Sequence, residues 1–250
     1  SLNCFSHHAP KLDWMEQYFT FKNEFKEKNT LGSQMFSFFK RFLKDADLLD
    51  DNGFTRFAEI ISDIGLDEDL SWALMLANLA YNPQIGWYIC NISFGETMSK
   101  EYVCSMLVDS GADEKWVNDV WSSLARILDL PFSHVGLGEM VKEKNKAVAL
   151  YRTGWQVPDE RVILYSLYQF SEKCGNFKQF TLTRLLDTSI ESEGISPTQI
   201  FGLNRDTMEK ILNGLTFNYP DLIEARFTLG LDNITLKSDK SAEEILNELF

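Results

Sequence analysis

Apolar residues three and four positions apart recur along most of the chain, and this spacing constrains the fold more than any other feature of the sequence. Such spacing places the apolar side chains on one face of an α-helix. Residues 33–46 and 116–128 show it most clearly. Thr55 and Gly65 enclose another such segment, as an N-terminal cap and a C-terminal stop. The spacing predicts a mainly α-helical protein.

The last hundred residues add a strand pattern to the helical one. Residues 206–215 have apolar positions at helical spacing, and Asp206 and Glu209 have the spacing of a capping box. Residues 223–229 alternate apolar with polar side chains, as in a half-buried strand, and Leu229 is the last of the positions expected to be buried. Residues 234–236 are predicted to form a second strand. With two helical segments before them, these elements predict a winged helix-turn-helix with a small β-hairpin.

The helical pattern weakens between residues 132 and 154, where two glycines and the run KEKNK occur. We therefore expect three parts: an N-terminal extension over residues 1–32, a helical domain over 33–140 and a winged-helix domain over 150–250. A winged-helix-like arrangement is one alternative for the helical domain. No repeat with a fixed period is visible in the sequence.

Charge and hydropathy narrow the classes of partner. The chain has 37 acidic and 24 basic residues, which gives a net charge of −13, and both halves are acidic. Phosphate contacts dominate affinity for nucleic acids, so this charge disfavours a general polyanion binder. No apolar run reaches the length of a membrane span, and no signal peptide is recognisable. We expect a cytoplasmic protein without a membrane partner, and the missing initiator Met at Ser1 suggests a piece of a longer chain.

Few residues suggest chemistry. Cys4, His7 and His8 lie within five positions, but zinc takes four ligands and the only other histidine is His134. A frayed N-terminus is the favoured interpretation, unless a metal domain of a longer protein ends here. His134 precedes a Gly-Leu-Gly segment that lacks the Lys-Ser/Thr of a phosphate-binding loop. The sequence predicts no catalytic residue, no metal ligand and no cofactor.

The predicted third helix of the winged helix decides whether this domain would read DNA. A DNA-reading helix presents Arg, Lys, Asn or Gln outward, and cations usually lie on the wing. Here cations and acids alternate on the outward face, so a structural or protein-contact role is favoured. The predicted interaction surface consists of Arg205, Glu209, Lys210, Asn213 and Arg226.

Three stretches carry a resemblance to a known family: NLAYNPQIGWYICNI, RVILYSLYQFSEKCGNFKQFTLTRLLD and the segment from Gly194 to Ile234. Together they resemble the C-terminal accessory region of bacterial phosphoadenosine phosphosulfate (PAPS) reductase-like proteins, and the similarity spans residues 35–250. Similar helical and winged-helix modules occur near DNA-modification and phage-defence genes. The resemblance implies an N-terminal nucleotide-binding α/β domain with an S-G-G-x-D-S-type loop in the parent protein. This chain has neither that loop nor parallel βαβ units, so no catalytic residue carries over.

The resemblance therefore implies a non-catalytic accessory region of a PAPS reductase-like protein, which positions a partner domain or a substrate. Its partner would be another protein or the N-terminal catalytic domain of the same parent. The alternative is a DNA- or RNA-contacting winged-helix module, linked to DNA modification or phage defence. A self-contained enzyme is a third class. The sequence does not decide whether the parent is an enzyme.

Overall fold

The computed structural model describes all 250 residues and confirms that the protein is mainly α-helical, with 54% helix and 12% strand. The chain forms two compact units, which we call unit 1 (Ser1–Thr153) and unit 2 (Gly154–Phe250). Each unit contains a three-stranded antiparallel sheet. None of the helices combines the length and the apolar character that a membrane span requires.

Unit 1 is built from eight α-helices, three short 3-10 helices and five short strands. The helices are α1 (Leu12–Phe21), α2 (Phe25–Lys28), α3 (Ser33–Asp45), α4 (Arg56–Ile64), α5 (Asp69–Leu79), α6 (Pro83–Asn91), α7 (Lys100–Asp109) and α8 (Val117–Leu128). The strands are β1 (Leu49–Asp50), β2 (Gly53–Phe54), β3 (Thr97–Ser99), β4 (Glu139–Glu143) and β5 (Lys146–Tyr151). β1 pairs with β2, and the larger sheet has the order β3-β5-β4.

The start of the chain packs into unit 1. The sequence predicts a frayed N-terminus, and this prediction is wrong. Phe5 is fully buried, and its ring meets that of Phe42 edge-on at 6.2 Å. The backbone amide of Cys4 donates a hydrogen bond of 2.9 Å to the side-chain oxygen of Gln84. Trp14 on α1 is buried as well. Apolar burial and a buried hydrogen bond thus offset the entropy of ordering this segment.

Pro83 ends one helix of unit 1 and begins another. α5 stops at Leu79, which agrees with the expectation that a helix ends ahead of a proline. Pro83 itself occupies the first turn of α6, where its missing amide hydrogen is not needed. The Asn82 side chain caps this helix by accepting from the amides of Gln84 and Ile85 at 2.9 and 3.0 Å.

A fully buried arginine, Arg152, fixes the end of α6 in unit 1. One terminal nitrogen donates to the carbonyl oxygens of Ile89 and Ile92 at 3.0 Å, and two other nitrogens donate to Gly136 at 3.2 Å. The guanidinium carbon lies 3.9 Å from the centre of the Phe94 ring. Burial lowers the pKa of Arg152 to about 10, so it stays charged at neutral pH. A cation at a helix C-terminus also interacts favourably with the helix dipole.

Unit 2 has five helices and three strands. The helices are α9 (Glu160–Lys173), α10 (Leu182–Leu186), α11 (Pro197–Phe201), α12 (Arg205–Asn218) and α13 (Ala242–Leu249). The strands are β6 (Gln179–Thr181), β7 (Ile223–Arg226) and β8 (Asn233–Leu236), in the sheet order β6-β8-β7. The predicted helix and hairpin near the C-terminus are therefore present, and β6 joins their sheet as a third strand.

The predicted cap of α12 is wrong. The side-chain oxygen of Asn204 accepts from the amide of Thr207 at 2.9 Å, so the helix begins before the proposed box of Asp206 and Glu209. Asn is among the strongest N-cap residues, because its short side chain reaches the free amides of the first turn. A true capping box occurs at Ser241, ahead of α13.

The two units share one order of elements. In unit 1, α6, β3, α7, α8 and the β4–β5 hairpin follow one another, and unit 2 repeats this order from α9 to β8 with α10 and α11 in the place of α7. In both sheets the last strand lies between the other two. Ser99 and Thr181 each end the first strand and cap the next helix. The two units therefore repeat one order of elements, which the sequence pattern does not reveal.

Candidate interaction surface

Helix α12 of unit 2 has one buried and one exposed face. It packs on α9 and β7 through four buried apolar side chains, those of Met208, Ile211, Leu212 and Leu215. The hydroxyl of Thr216 ties the helix to β7, since it accepts from the amide of Ala225 at 3.0 Å and donates to the carbonyl of Leu212 at 2.8 Å. The opposite face, with Lys210 and Asn213, is exposed to solvent.

The structure brings two of the predicted surface residues together at the start of α12. Arg205 lies 3.9 Å from the carboxylate of Glu209 and 3.7 Å from that of Asp232. It also donates a hydrogen bond of 3.1 Å to the hydroxyl of Thr183. Two carboxylates therefore neutralise the Arg205 charge within unit 2.

The other predicted surface residues are not part of this cluster. Arg226, on β7, pairs with Glu224 of the same strand at 3.0 Å. Lys210 and Asn213 are exposed on α12, and no carboxylate lies within 4 Å of the Lys210 ammonium group. Lys210 is therefore the one cation on α12 or its hairpin strands without an ion-pair partner.

Asp232 connects the hairpin to the start of α10. Its carboxylate accepts from both the hydroxyl and the amide of Thr183, at 2.5 and 2.8 Å, and its carbonyl accepts from the amide of Leu182 at 2.9 Å. The hydrogen bond from the Thr183 hydroxyl is the largest cause that lowers the pKa of Asp232, and Arg205 lowers it further. Together, α12 and the hairpin carry three cations and four carboxylates.

The hairpin tip exposes large apolar side chains, which the sequence pattern did not predict. Leu229 is fully exposed and Leu231 is 50% exposed, on either side of Gly230. The sequence predicts Leu229 as the buried end of a strand, but β7 ends at Arg226 and Leu229 lies in the turn. The signal for the turn was Gly230, which takes a left-handed backbone conformation with φ of 78°.

A second exposed apolar side chain lies on α12 itself. Phe217, near the end of the helix, is 86% exposed. It follows Asn213 by four positions and Lys210 by seven, so the three share one helix face. This face therefore combines one cation, one amide and one aromatic ring, and sequence reasoning identified only the first two.

The corresponding helix of unit 1, α8, offers no comparable face. Most of its residues are buried. The first residues of the chain cover it, since Ser6 donates to Asp119 at 3.4 Å and Gln84, which holds the Cys4 amide, donates to Ser123 at 2.7 Å. The unit 1 hairpin carries a charged tip with Lys144. Of these two corresponding helices, only α12 therefore presents an open face.

The residues that suggested metal chemistry are not arranged for it. No group of three or more His, Cys, Asp or Glu side chains is positioned to hold a metal ion. Cys4 is buried, with a nitrogen of Arg41 3.9 Å from its sulfur. The ring centres of His7 and His8 lie 4.0 Å apart with the rings tilted by 40°, and burial lowers the pKa of His8. His134 instead pairs with a carboxylate of α5.

Comparisons of the chain with protein-family models, with curated proteins and with solved structures give no match. The resemblance to PAPS reductase-like proteins therefore stays a prediction. The geometry of unit 2 is the basis on which a function can be argued.

Proposed function

We propose that this chain is a non-catalytic interaction module in which unit 2 is a winged helix that contacts a partner protein. The order of elements supports the winged helix: a helix, a short strand, further helices and a hairpin whose last strand lies centrally in the sheet. In this assignment α12 is the third helix and the β7–β8 hairpin is the wing. Unit 1 has the same order of elements, which supports a tandem pair.

One observation carries the choice of a protein partner: the wing ends in exposed leucines. Leu229 and Leu231 are located where a DNA-binding wing would place cations. Burial of one leucine side chain stabilises a complex by about 1.5–3 kcal/mol, whereas a leucine gains nothing from a phosphate. The buried centres of protein interfaces are depleted in charge and enriched in aromatic side chains, a class to which the exposed Phe217 belongs.

The charges of unit 2 also disfavour the nucleic-acid alternative. Nucleic-acid affinity depends on cations that can release counterions from phosphates. Arg205 and Arg226 are each held by carboxylates of the same unit, which leaves Lys210 as the one unpaired cation on α12 and the hairpin strands. A phosphate that approached the wing would also meet Asp232 and Glu224.

The partner that we propose is a PAPS reductase-like protein, or the catalytic domain of one when both lie on the same polypeptide. This choice rests on the sequence resemblance. The module would hold that domain or its substrate in position and would contribute no reacting group.

The test compares two double variants of the full chain. Leu229→Asp/Leu231→Asp removes the apolar tip, and Lys210→Ala/Arg226→Ala removes two cations. We expect the leucine variant to bind a purified PAPS reductase-like protein from the same genome at least about thirtyfold more weakly, by the burial energies above. The cation variant should bind nearly as well as the parent chain in calorimetric titrations.

The same preparations are titrated with fluorescent duplex DNA and single-stranded RNA at low salt. We expect no saturable binding. Binding that weakens steeply with added salt and is lost in the cation variant would establish the nucleic-acid alternative instead.

A further inference from the structure

Unit 1 contains a cavity of about 280 Å³ that neither the sequence nor the proposed function explains. It is bounded by the end of α1, by α2 and α3, and by the β1–β2 hairpin. Its apolar part includes Phe25 and Phe36, whose rings stack at 5.9 Å, and the side chain of Leu43. Phe25 and Leu43 are almost fully buried, so the half-buried ring of Phe36 is the main apolar surface open to a ligand.

Four lysines line the same cavity, in a protein with a net charge of −13. Lys44 is paired with Asp51 at 3.1 Å. Lys26 and Lys40 have no carboxylate within 4 Å, although Lys28 nearby is paired with Glu24 at 2.6 Å. Lys26 and Lys40 therefore have no carboxylate partner at this cavity, and a second carboxylate besides Asp51, that of Asp50, also lines it.

The fourth lysine, Lys22, has an unfavourable backbone conformation. Its φ of 50° and ψ of −121° lie outside the regions that a residue with a Cβ atom ordinarily occupies. Glycine would adopt this conformation at little cost. The Lys22 ammonium lies 5.6 Å from the centre of the Phe54 ring, beside the cavity. Such strain is typically retained where the side chain has a role.

We propose that this cavity binds a small organic anion with a single apolar ring. The ring lies against Phe36, and Lys22, Lys26 and Lys40 hold the anionic group. A lysine acts as a point charge, so a carboxylate, a phosphate or a sulfate satisfies the same site. The cavity volume lies at the lower end of the range for ligand pockets, which limits the ligand to about one ring. The proposal does not rest on the function proposed for unit 2.

The test uses four probes on the full chain: phenyl phosphate, benzoate, benzyl alcohol and inorganic phosphate. Binding is measured from amide shifts in two-dimensional NMR spectra. We expect the two aryl anions to shift amides between residues 18 and 53 and to bind at least about tenfold more tightly than the neutral alcohol or phosphate alone. The stronger of the two aryl anions identifies the preferred anionic group.

Matched variants separate the site from general charge effects. Lys26→Ala/Lys40→Ala should weaken aryl-anion binding by roughly five- to tenfold. Lys115→Ala/Lys146→Ala removes the same charge at exposed positions that do not line the cavity and should leave binding unchanged.

Lys22→Gly separates binding from folding, because it removes the ammonium and the strained conformation together. We expect this variant to keep the melting temperature of the parent chain or exceed it, and to bind aryl anions about threefold more weakly. Equal binding of benzyl alcohol and the aryl anions would overturn the proposal. Equal loss in both double variants, or shifts confined to other residues, would do the same.

Discussion

Replacement of Arg152 by methionine should strongly destabilise unit 1. Methionine keeps most of the side-chain volume, but it cannot donate to the carbonyls of Ile89, Ile92 and Gly136. A buried carbonyl left without its partner costs about 1–3 kcal/mol, and partial relaxation reduces the sum. We therefore expect a loss of about 3–5 kcal/mol in the free energy of unfolding, out of a typical 5–15 kcal/mol for a domain.

Urea denaturation followed by tryptophan fluorescence measures this loss. The signal reports mainly on unit 1, because Trp155 alone among the six tryptophans lies in unit 2. Arg152→Lys should fall between the parent and the methionine variant, since an ammonium keeps the charge but cannot span all three carbonyls. Arg56→Met is the matched control, because Arg56 is exposed and its pair with Glu59 contributes little.

A loss below about 1 kcal/mol for Arg152→Met would refute the reasoning, because it would mean that water or backbone shifts satisfy the carbonyls at no cost. A comparable loss for Arg56→Met would show that removal of any arginine destabilises the chain.

Three further predictions concern unit 2. Asp232→Asn should lower its stability by about 1 kcal/mol at neutral pH and by less near pH 2. The reason is that the folded-state pKa of Asp232 lies below the ordinary value. The stability that the Asp232 carboxylate contributes is therefore complete above about pH 4 and is lost as the pH falls through the folded-state pKa. Equal losses at both pH values in urea titrations would contradict this. Asn204→Ala should cost about 1 kcal/mol through loss of the α12 cap, and an unchanged melting temperature would argue against that cap. Leu229→Asp should change the stability of the free chain by less than about 0.5 kcal/mol, and a larger loss in thermal unfolding would mean that the wing tip packs on its own unit.

The helices of the chain could be predicted where an apolar stripe and an end signal coincide. Thr55 caps α4 through the amide of Ala58 at 2.9 Å, and Gly65 ends the helix, as the sequence indicates. Such signals are local, because the cap and the helix that it stabilises lie within one turn. Pro83 shows the limit of such local signals, because a proline ends one helix and equally favours the first turn of the next.

The β4–β5 hairpin of unit 1 could not be predicted, since its residues lack a buried alternation. Every residue of β4 is exposed or half-exposed, so no apolar period marks the strand. Its turn residues, Lys144 and Asn145, both have positive φ, which is uncommon for lysine. The order of elements that the two units share could not be predicted for a related reason. The corresponding helices have different patterns of apolar residues, since α8 is covered and apolar, whereas α12 has an open polar face.

The candidate surface of unit 2 was predicted in its polar part only. Charged positions at helical spacing identify an exposed face, and Lys210 and Asn213 do lie there. Which charges neutralise one another depends on tertiary contacts, such as that between Arg205 and Asp232, which are 27 positions apart. The exposure of Leu229 depends on where β7 ends, and an alternating pattern does not fix that position.

The proposal that the tip of the β7–β8 hairpin contacts a partner protein is tested most directly by photo-crosslinking from this tip. Leu229 is replaced by p-benzoylphenylalanine, and the chain is irradiated with the purified PAPS reductase-like protein or with duplex DNA. The account predicts a protein adduct of defined mass from position 229 and none from position 157, where an exposed valine of the same unit serves as the control. A DNA adduct from position 229, or equal protein adducts from both positions, would contradict it.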